Sequence, residues 1–170
     1  MIKISVVIPT YNGANKILNV LSSLEKQTFR EFEVIVVIDG STDKTQEILA
    51  ESQFNFPLKV VYQANKGRAG ARNTGANKAS AEWLIFVDDD MRLEPDVLQK
   101  HWEFHQKTSN AILVGNQIED WEVLKSDLQK YKAFLSRKWG NSVVHHQPMP
   151  AEKFFLTSSN CSMSKTLFQK

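Results

Sequence analysis

Apolar and polar positions fall into blocks along this chain, and the blocks predict strands and helices in alternation. Ile4-Ser5-Val6-Val7-Ile8 is a short apolar run closed by Pro9-Thr10-Tyr11-Asn12-Gly13, where Pro and Asn-Gly mark a turn. From Ala14 to Gln27, the apolar residues Ile17, Leu18, Leu21 and Leu24 recur at helical spacing. Phe32 to Ile38 is a second apolar run, ending at Asp39-Gly40-Ser41-Thr42-Asp43, with Ser41 or Thr42 placed to cap a helix that starts near Asp43. Leu58 to Tyr62 reads as a third strand, and Asn65 to Gly75 leads into a small-residue helix ending near Ser80. Trp83 to Val87 is a fourth strand that runs straight into Asp88-Asp89-Asp90. The runs are continuous rather than alternating, which marks strands buried on both faces. Their regular exchange with helices predicts βαβ units and a parallel sheet, an α/β fold.

Beyond the acidic triplet, Pro95 opens a helix through about Gln106, and Ala111 to Gly115 reads as another strand. Trp121 to Trp139 carries Val123, Leu124, Leu128, Tyr131, Phe134 and Leu135 at helical spacing, which predicts a long amphipathic helix. A loop with Pro148 and Pro150, a strand at Phe154-Phe155-Leu156 and a helix start at Lys165 to Lys170 complete the pattern.

Right-handed crossovers place the C-terminal ends of parallel strands on one edge, where open α/β sheets bind their ligands. The loops Pro9–Asn12, Asp39–Asp43 and Asp88–Asp90 therefore converge. Three adjacent carboxylates repel one another, and a divalent cation or a protonated neighbour relieves the repulsion. Taken alone, the triplet reads equally well as a solvated acidic turn; the convergence favours a ligand site. Gly67, Gly70 and Gly75 do not form G-x-G-x-x-G, and no G-x-x-x-x-G-K-[ST] occurs, which disfavours a dinucleotide site and a P-loop. The same segment offers Lys66, Arg68 and Arg72 beside flexible backbone. These cations suit a diphosphate whose oxygens a metal on Asp88 or Asp90 bridges, against the plainer reading of a basic surface helix start.

Composition narrows the classes. The chain has 170 residues, 42% hydrophobic, with a net charge of +2, enough for one domain with a core and too little charge for nucleic acid or an anionic membrane as main partner. The single Cys161 forms no internal disulfide and fits a reducing compartment. Met1-Ile2-Lys3 runs directly into a strand, and the apolar stretches are strand-sized, so the expectation is a cytoplasmic chain without leader or membrane span, peripheral at most to the inner face of a membrane. Asn160-Cys161-Ser162 matches the glycosylation sequon, read here as chance. His101 and His105 share a helix face, yet no second pair supports zinc, and ordinary helix positions are expected. His145-His146 reads as solvated loop and Cys161 as a buried small residue.

With these loops in hand, the chain resembles the family 2 inverting glycosyltransferases. Val6-Val7-Ile8-Pro9-Thr10-Tyr11-Asn12 is similar to the family's opening strand and turn, and Val34 to Asp43 to its second strand and D-D-G-S-x-D loop. Asn65-Lys66-Gly67 with Ala71-Arg72-Asn73-Thr74-Gly75 resembles the N-x-G…A-R-N-x-G helix start, and Asp88-Asp89-Asp90 occupies the D-x-D position. Thr157 to Ser164 resembles a later segment on the acceptor side. The resemblance implies the GT-A fold, a Rossmann-like three-layer sandwich with a mostly parallel sheet. It also implies a hexosyltransferase-type enzyme of polysaccharide or glycan biosynthesis that uses a UDP- or GDP-sugar and Mg²⁺ or Mn²⁺. Carried over, Tyr11 stacks on the base and Asp39 hydrogen-bonds it, while Pro9 and Thr10 contact it nearby, with Asn12, Lys66 and Gly67 in the same motifs. Arg72 approaches the diphosphate or base, Asp89 the ribose, and Asp90 the metal with Asp88 assisting. An acceptor hydroxyl, on a carbohydrate or lipid-linked molecule, then displaces the diphosphate in line, inverting the anomeric carbon.

Two departures stand out. Ile38 occupies the place of the first Asp of the D-D-G-S loop. The family's general base, an Asp in an E-D-x-E-L-like segment, is expected beyond Lys170; Glu119, Asp120, Glu122 and Glu152 lie in no matching motif. The expectation is one domain over residues 1–170, truncated in its acceptor-binding part and self-associating through the surface thus exposed. The alternatives are a non-catalytic nucleotide-sugar-binding module and, more distantly, a sugar-phosphate nucleotidyltransferase. The last would carry a G-x-G-T-R-like loop, which Pro9-Thr10-Tyr11-Asn12-Gly13 is not.

Overall fold

Strands without a polar face can sit only where helices cover both sides, and here they pair with one another at the centre of the molecule. The computed structural model describes residues 1–120, 124–142 and 157–170. Its sheet has six strands, β1 (Ile4–Thr10), β2 (Phe32–Asp39), β3 (Leu58–Gln63), β4 (Trp83–Val87), β5 (Leu113–Val114) and β6 (Asn160–Ser164). Their order is β3-β2-β1-β4-β6-β5. β1 pairs in parallel with β2 and β4, and β2 with β3, whereas β6 runs antiparallel to both β4 and β5. All residues of β1 and β2 are buried, while β3 alternates between half-buried and exposed positions, as an edge strand does.

The helices are α1 (Ile17–Glu25), α2 (Thr45–Glu51), α3 (Gly67–Lys78), α4 (Val97–Lys107), α5 (Asp127–Ser142) and α6 (Lys165–Phe168). α1, α2 and α4 cover one sheet face through Leu21, Leu24, Leu49 and Leu98, which pack on Val6, Ile8, Val36 and Ile85. α3 and α6 cover the other through Ala71, Ala76 and Phe168, against Val7, Val37 and Phe86. Small residues let α3 lie close to the sheet: a Cβ on Gly75 would stand 2.3 Å from Val7 Cγ1. The parallel βαβ arrangement anticipated from the hydrophobic pattern and the three-layer sandwich implied by the resemblance are therefore present.

Several details differ. Neither Ser41 nor Thr42 caps α2; Asp43 Oδ1 accepts from the Thr45 backbone N–H at 3.1 Å instead. Ser41 and Thr42 are taken by Asn12, whose N–H donates to Ser41 Oγ at 3.0 Å and whose Oδ1 accepts from Thr42 N–H at 2.9 Å. The strand expected at 111–115 shrinks to two residues at the sheet edge. α5 forms, but its apolar stripe faces outward: Leu128, Tyr131, Phe134 and Leu135 are all exposed, while Ala133 is buried. On that inward side, a Cβ on Gly140 would stand 2.6 Å from Asn116 Oδ1, so the helix rests on its small residues. Asn160 to Met163, expected to line the acceptor side, are buried as β6 between β4 and β5. Trp121, Glu122, Val123, His145, His146, Pro148, Pro150, Glu152 and the strand expected at 154–156 lie outside the described residues.

At the edge of the sheet away from the loops, Glu33 forms a buried polar knot. Its Oε1 accepts from Ser5 Oγ, Ser80 N and Ser80 Oγ, and its Oε2 pairs with Lys59 Nζ at 2.7 Å. Burial pushes this carboxyl up, but the bonds from Lys59, Ser80 and Ser5 outweigh it and hold the group down to about 2.

Candidate functional site

The chain goes outward from β1 to β2 to β3 and then returns to place β4 on the other side of β1, so the strand order reverses between β1 and β4. Loops leave the sheet in opposite directions at such a point and open a crevice at the C-terminal edge. A cleft of about 240 Å³ lies there. The first loop contributes Pro9, Thr10 and Tyr11, with Lys16 one turn on; the second contributes Asp39. Asn65, Gly67, Arg68 and Ala71 line it from the start of α3, and Asp88, Asp89 and Asp90 from the end of β4. Of the residues singled out in the sequence, Asn12, Lys66 and Arg72 do not line the cleft. Asn12 braces the first two loops from behind, the Lys66 backbone N–H donates to Asp39, and Arg72 pairs with Asp88.

The cleft's four carboxylates have different partners. Asp89 is 7% exposed, with Oδ2 accepting from Thr10 Oγ1 at 2.6 Å and Oδ1 paired with Lys16 Nζ at 2.9 Å. Asp88 is paired with the Arg72 guanidinium. Its carboxyl is pushed up chiefly by burial; Arg72 and Arg68 counter this, and Asp90 and Asp89 add to it. Asp90 is exposed and makes no hydrogen bond or ion pair with the described residues. Asp39 is buried, and its Oδ1 accepts from Gln63 Nε2 at 2.6 Å and from the Lys66 N–H at 2.8 Å. Its Oδ2 has no partner among the described residues. Two carboxylates are thus neutralised by cations, and two, Asp39 and Asp90, are held in the same cleft without one.

Such an arrangement offers two kinds of recognition. A fixed, buried carboxylate oxygen accepts from a ligand N–H, and an exposed carboxylate beside a second one attracts a hard cation through oxygen. Tyr11, half exposed, presents an aromatic face in the same cleft. The donor set fits Mg²⁺ or Mn²⁺ only in part: among the described residues no three His, Cys, Asp or Glu groups surround one point. Asp90 and Asp88 supply one or two oxygens, and a ligand's own oxygens would complete the shell.

The Ser159 carbonyl accepts from the Asp88 N–H at 3.2 Å, which ties the triplet to the segment entering β6. Ser159 Oγ in turn meets Gln117 Nε2 at 2.5 Å and Thr157 Oγ1 at 2.6 Å. Glu119 and Asp120 are not part of the cleft, and Asp120 pairs with Arg92 at 3.0 Å. Sequence reasoning missed Lys16 and Gln63. Lys16 stands at the entry to the helix after the first loop, a position next to the ligand edge in any βα unit. Gln63 is the last residue of β3 and stands abreast of Asp39 in the parallel register.

Residues 5–170 match the family model Glycosyl transferase family 2, and the chain belongs to that family. Its architecture is the GT-A fold of glycosyltransferases. Glycosyltransferase GlyA of Streptococcus pneumoniae is 37% identical over 115 residues, 67% of this chain and 16% of that protein. Poly(ribitol-phosphate) beta-N-acetylglucosaminyltransferase TarS of Staphylococcus aureus is 37% identical over 118 residues, 67% of this chain and 21% of that protein. The crystal structure of TarS residues 1–349 in complex with UDP-GlcNAc superposes with a TM-score of 0.65 at 32% identity, over 74% of this chain and 37% of that one. A mannosyltransferase of Pyrobaculum calidifontis, solved with GDP-Man and Mn²⁺, shares the fold with a TM-score of 0.73 at 21% identity, over 98% of this chain and 46% of that one. The matched stretch makes up between 16% and 37% of the length of the curated relatives. Among the described residues, no helix is long and apolar enough to cross a membrane.

Proposed function

We propose that this chain forms the donor-binding part of a glycosyltransferase that moves a sugar from a nucleoside diphosphate sugar to an acceptor hydroxyl with inversion. The observation that carries the reading is the unequal pairing in the cleft, where Asp39 and Asp90 are left without cations while Asp88 and Asp89 are neutralised. Asp39 accepts from the base, against which Tyr11 stacks, with Pro9 and Thr10 close by. Lys16 and Arg68 lie along the path of the diphosphate. Lys16 holds Asp89 toward the ribose, and Arg72 holds Asp88 in place. Asn12, Lys66 and Gly67 act through the loop backbone they shape.

Asp90, with Asp88 beside it, would hold Mg²⁺ or Mn²⁺, which stabilises the charge on the departing diphosphate. All four cleft carboxylates are committed to donor and metal, and none of them is assigned as the general base. The relatives that support the reading are a UDP-GlcNAc-bound structure at 32% identity and glycosyltransferases by name. Self-association belongs to the same reading, and light scattering at rising protein concentration checks it: growth in mass is expected.

Calorimetric titration with UDP and with GDP, each with and without Mn²⁺, tests the donor site. Metal-dependent binding is expected for one of them, and Asp90→Ala is expected to abolish the metal dependence. Binding of neither nucleotide would overturn the proposal.

A further inference from the structure

We propose that Gln63 is a positioning residue that fixes Asp39, leaving Asp39 Oδ2 as the single carboxylate acceptor offered to the base. The inference rests on the nucleotide-sugar reading above and adds a residue to it.

Gln63 and Asp39 are direct neighbours in the parallel pairing of β3 with β2. Gln63 Nε2 donates to Asp39 Oδ1 at 2.6 Å, and the Lys66 N–H donates to the same oxygen at 2.8 Å. The second donor reaches Asp39 because Gly40 has φ +75 and no Cβ. A Cβ there would stand 2.8 Å from the Asn65 backbone nitrogen and push the loop away. Turning the Gln63 amide round would set its oxygen against the carboxylate, so only the observed orientation is tolerable.

That orientation leaves Gln63 Oε1 buried with no donor among the described residues. The loss at an orphaned buried oxygen is of the same order as the gain from one charge-assisted bond, so the amide contributes little net to folding. Its effect falls on Asp39. With Oδ1 occupied twice, the carboxylate cannot rotate without breaking two bonds, and the acceptor that Asp39 has left is Oδ2. An oxygen that only accepts selects a base edge that presents a ring N–H. Uracil and guanine have one, whereas cytosine and adenine present a bare ring nitrogen at that place.

The test is UDP or GDP affinity, whichever binds, in Mn²⁺ at pH 8 and pH 5.5, for wild type, Gln63→Leu, Gln63→Glu, Asp39→Asn and Asp39→Asn with Gln63→Leu. Thermal midpoints are recorded alongside. Gln63→Leu is expected to keep its midpoint and to weaken binding by about tenfold, with little further loss in the Asp39→Asn background. In Gln63→Glu the introduced carboxyl repels Asp39 when ionised and donates to it when protonated. Its affinity is therefore expected to rise toward wild type as the pH falls from 8 to 5.5. Lys16, Arg68, Asp88, Asp89 and Asp90 face the same cleft and are common to both proteins, so the comparison with wild type isolates residue 63. Wild-type affinity in Gln63→Leu, or the same pH profile in Gln63→Glu as in wild type, would overturn the inference and leave the nucleotide reading standing. Absence of nucleotide binding by the wild type would overturn the reading beneath it, and this inference with it.

Discussion

Glu33 shows how one side chain sets a property that no local pattern announces. It sits inside an apolar run, Phe32 to Ile38, and is 2% exposed, yet three hydrogen bonds from Ser5 and Ser80 and the Lys59 ammonium surround it. Its carboxyl is held down to about 2 from 4.5, so the unfolded chain binds a proton more readily than the folded one between those values. The stabilisation is complete above pH 4.5 and is lost as the pH falls toward 2. It amounts to about 3 kcal/mol by linkage. Glu33→Gln is expected to lower stability at pH 7 by about that amount and to remove this part of the acid sensitivity. Urea unfolding at pH 7 and at pH 3 reads both. In the cleft, too, partners are set at a distance: Asp88 and Asp89 differ from Asp90 in partners, not in chemistry, and those partners come from residues 16 and 79 positions away.

Helix α4 and strand β6 illustrate what elements decide. Helical spacing marks His101 and His105 as ordinary helix positions, and both are buried. Their role is more specific than that: His101 Nδ1 and His105 Nε2 both meet Ser162 Oγ at 2.7 Å, which fastens α4 to β6. His105 also stacks on Trp83, with ring centroids 4.1 Å apart. His105 Nδ1 is buried without a partner among the described residues. A bare ring nitrogen is tolerated there more easily than an unpaired N–H, so Nε2 carries the proton and donates to Ser162, whose hydroxyl then donates to His101.

Burial pushes both imidazoles down to about 4, and the neighbouring His105 adds to the effect on His101. The folded state keeps them neutral while the unfolded chain protonates near 6.5, so stability is full above 6.5 and falls as the pH drops toward 4. The loss between pH 7 and pH 5 is expected to be about 2 kcal/mol for each imidazole. His105→Gln is expected to flatten that slope, measured as the change in urea midpoint between the two pH values. An unchanged slope would show that the imidazoles do not govern it.

Over the whole molecule, the sheet's reversal between β1 and β4 creates the cleft, and occupying the cleft links the segments that follow four strands. A ligand that binds only the folded state adds about 2.7 kcal/mol at a hundredfold excess over its Kd. For a chain of this size that is a rise in melting temperature of roughly 5 to 10 °C. Mn²⁺ together with the nucleotide that binds is expected to produce such a rise, and EDTA to remove most of it, as read by scanning fluorimetry. A rise that EDTA leaves intact would argue against Asp90 and Asp88 as metal ligands.

The α/β class, the four parallel strands and the convergence of three loops are all legible in the amino-acid sequence. Strands buried on both faces must be written as unbroken apolar runs, and the handedness of crossovers then leaves one edge for the loops. Trp83 to Val87 matches the expected strand residue for residue. What depends on the tertiary structure is partnership between residues distant along the chain. β6 is easily passed over in the sequence because Asn160 to Ser164, although alternating polar and apolar, has small polar residues and no β-branched or aromatic side chain. Asn160 and Ser162 are buried because the flanking strands enclose them and His101 and His105 satisfy the Ser162 hydroxyl. The stripe on α5 obeys helical periodicity yet points outward, since periodicity shows that a face exists and not what covers it. In the cleft, composition supplies four carboxylates. Only their distances to Lys16, Arg72, Thr10 and Gln63 decide which two are neutralised and which two are left to meet a ligand, because Coulomb and hydrogen-bond energies depend on separations that local sequence does not encode.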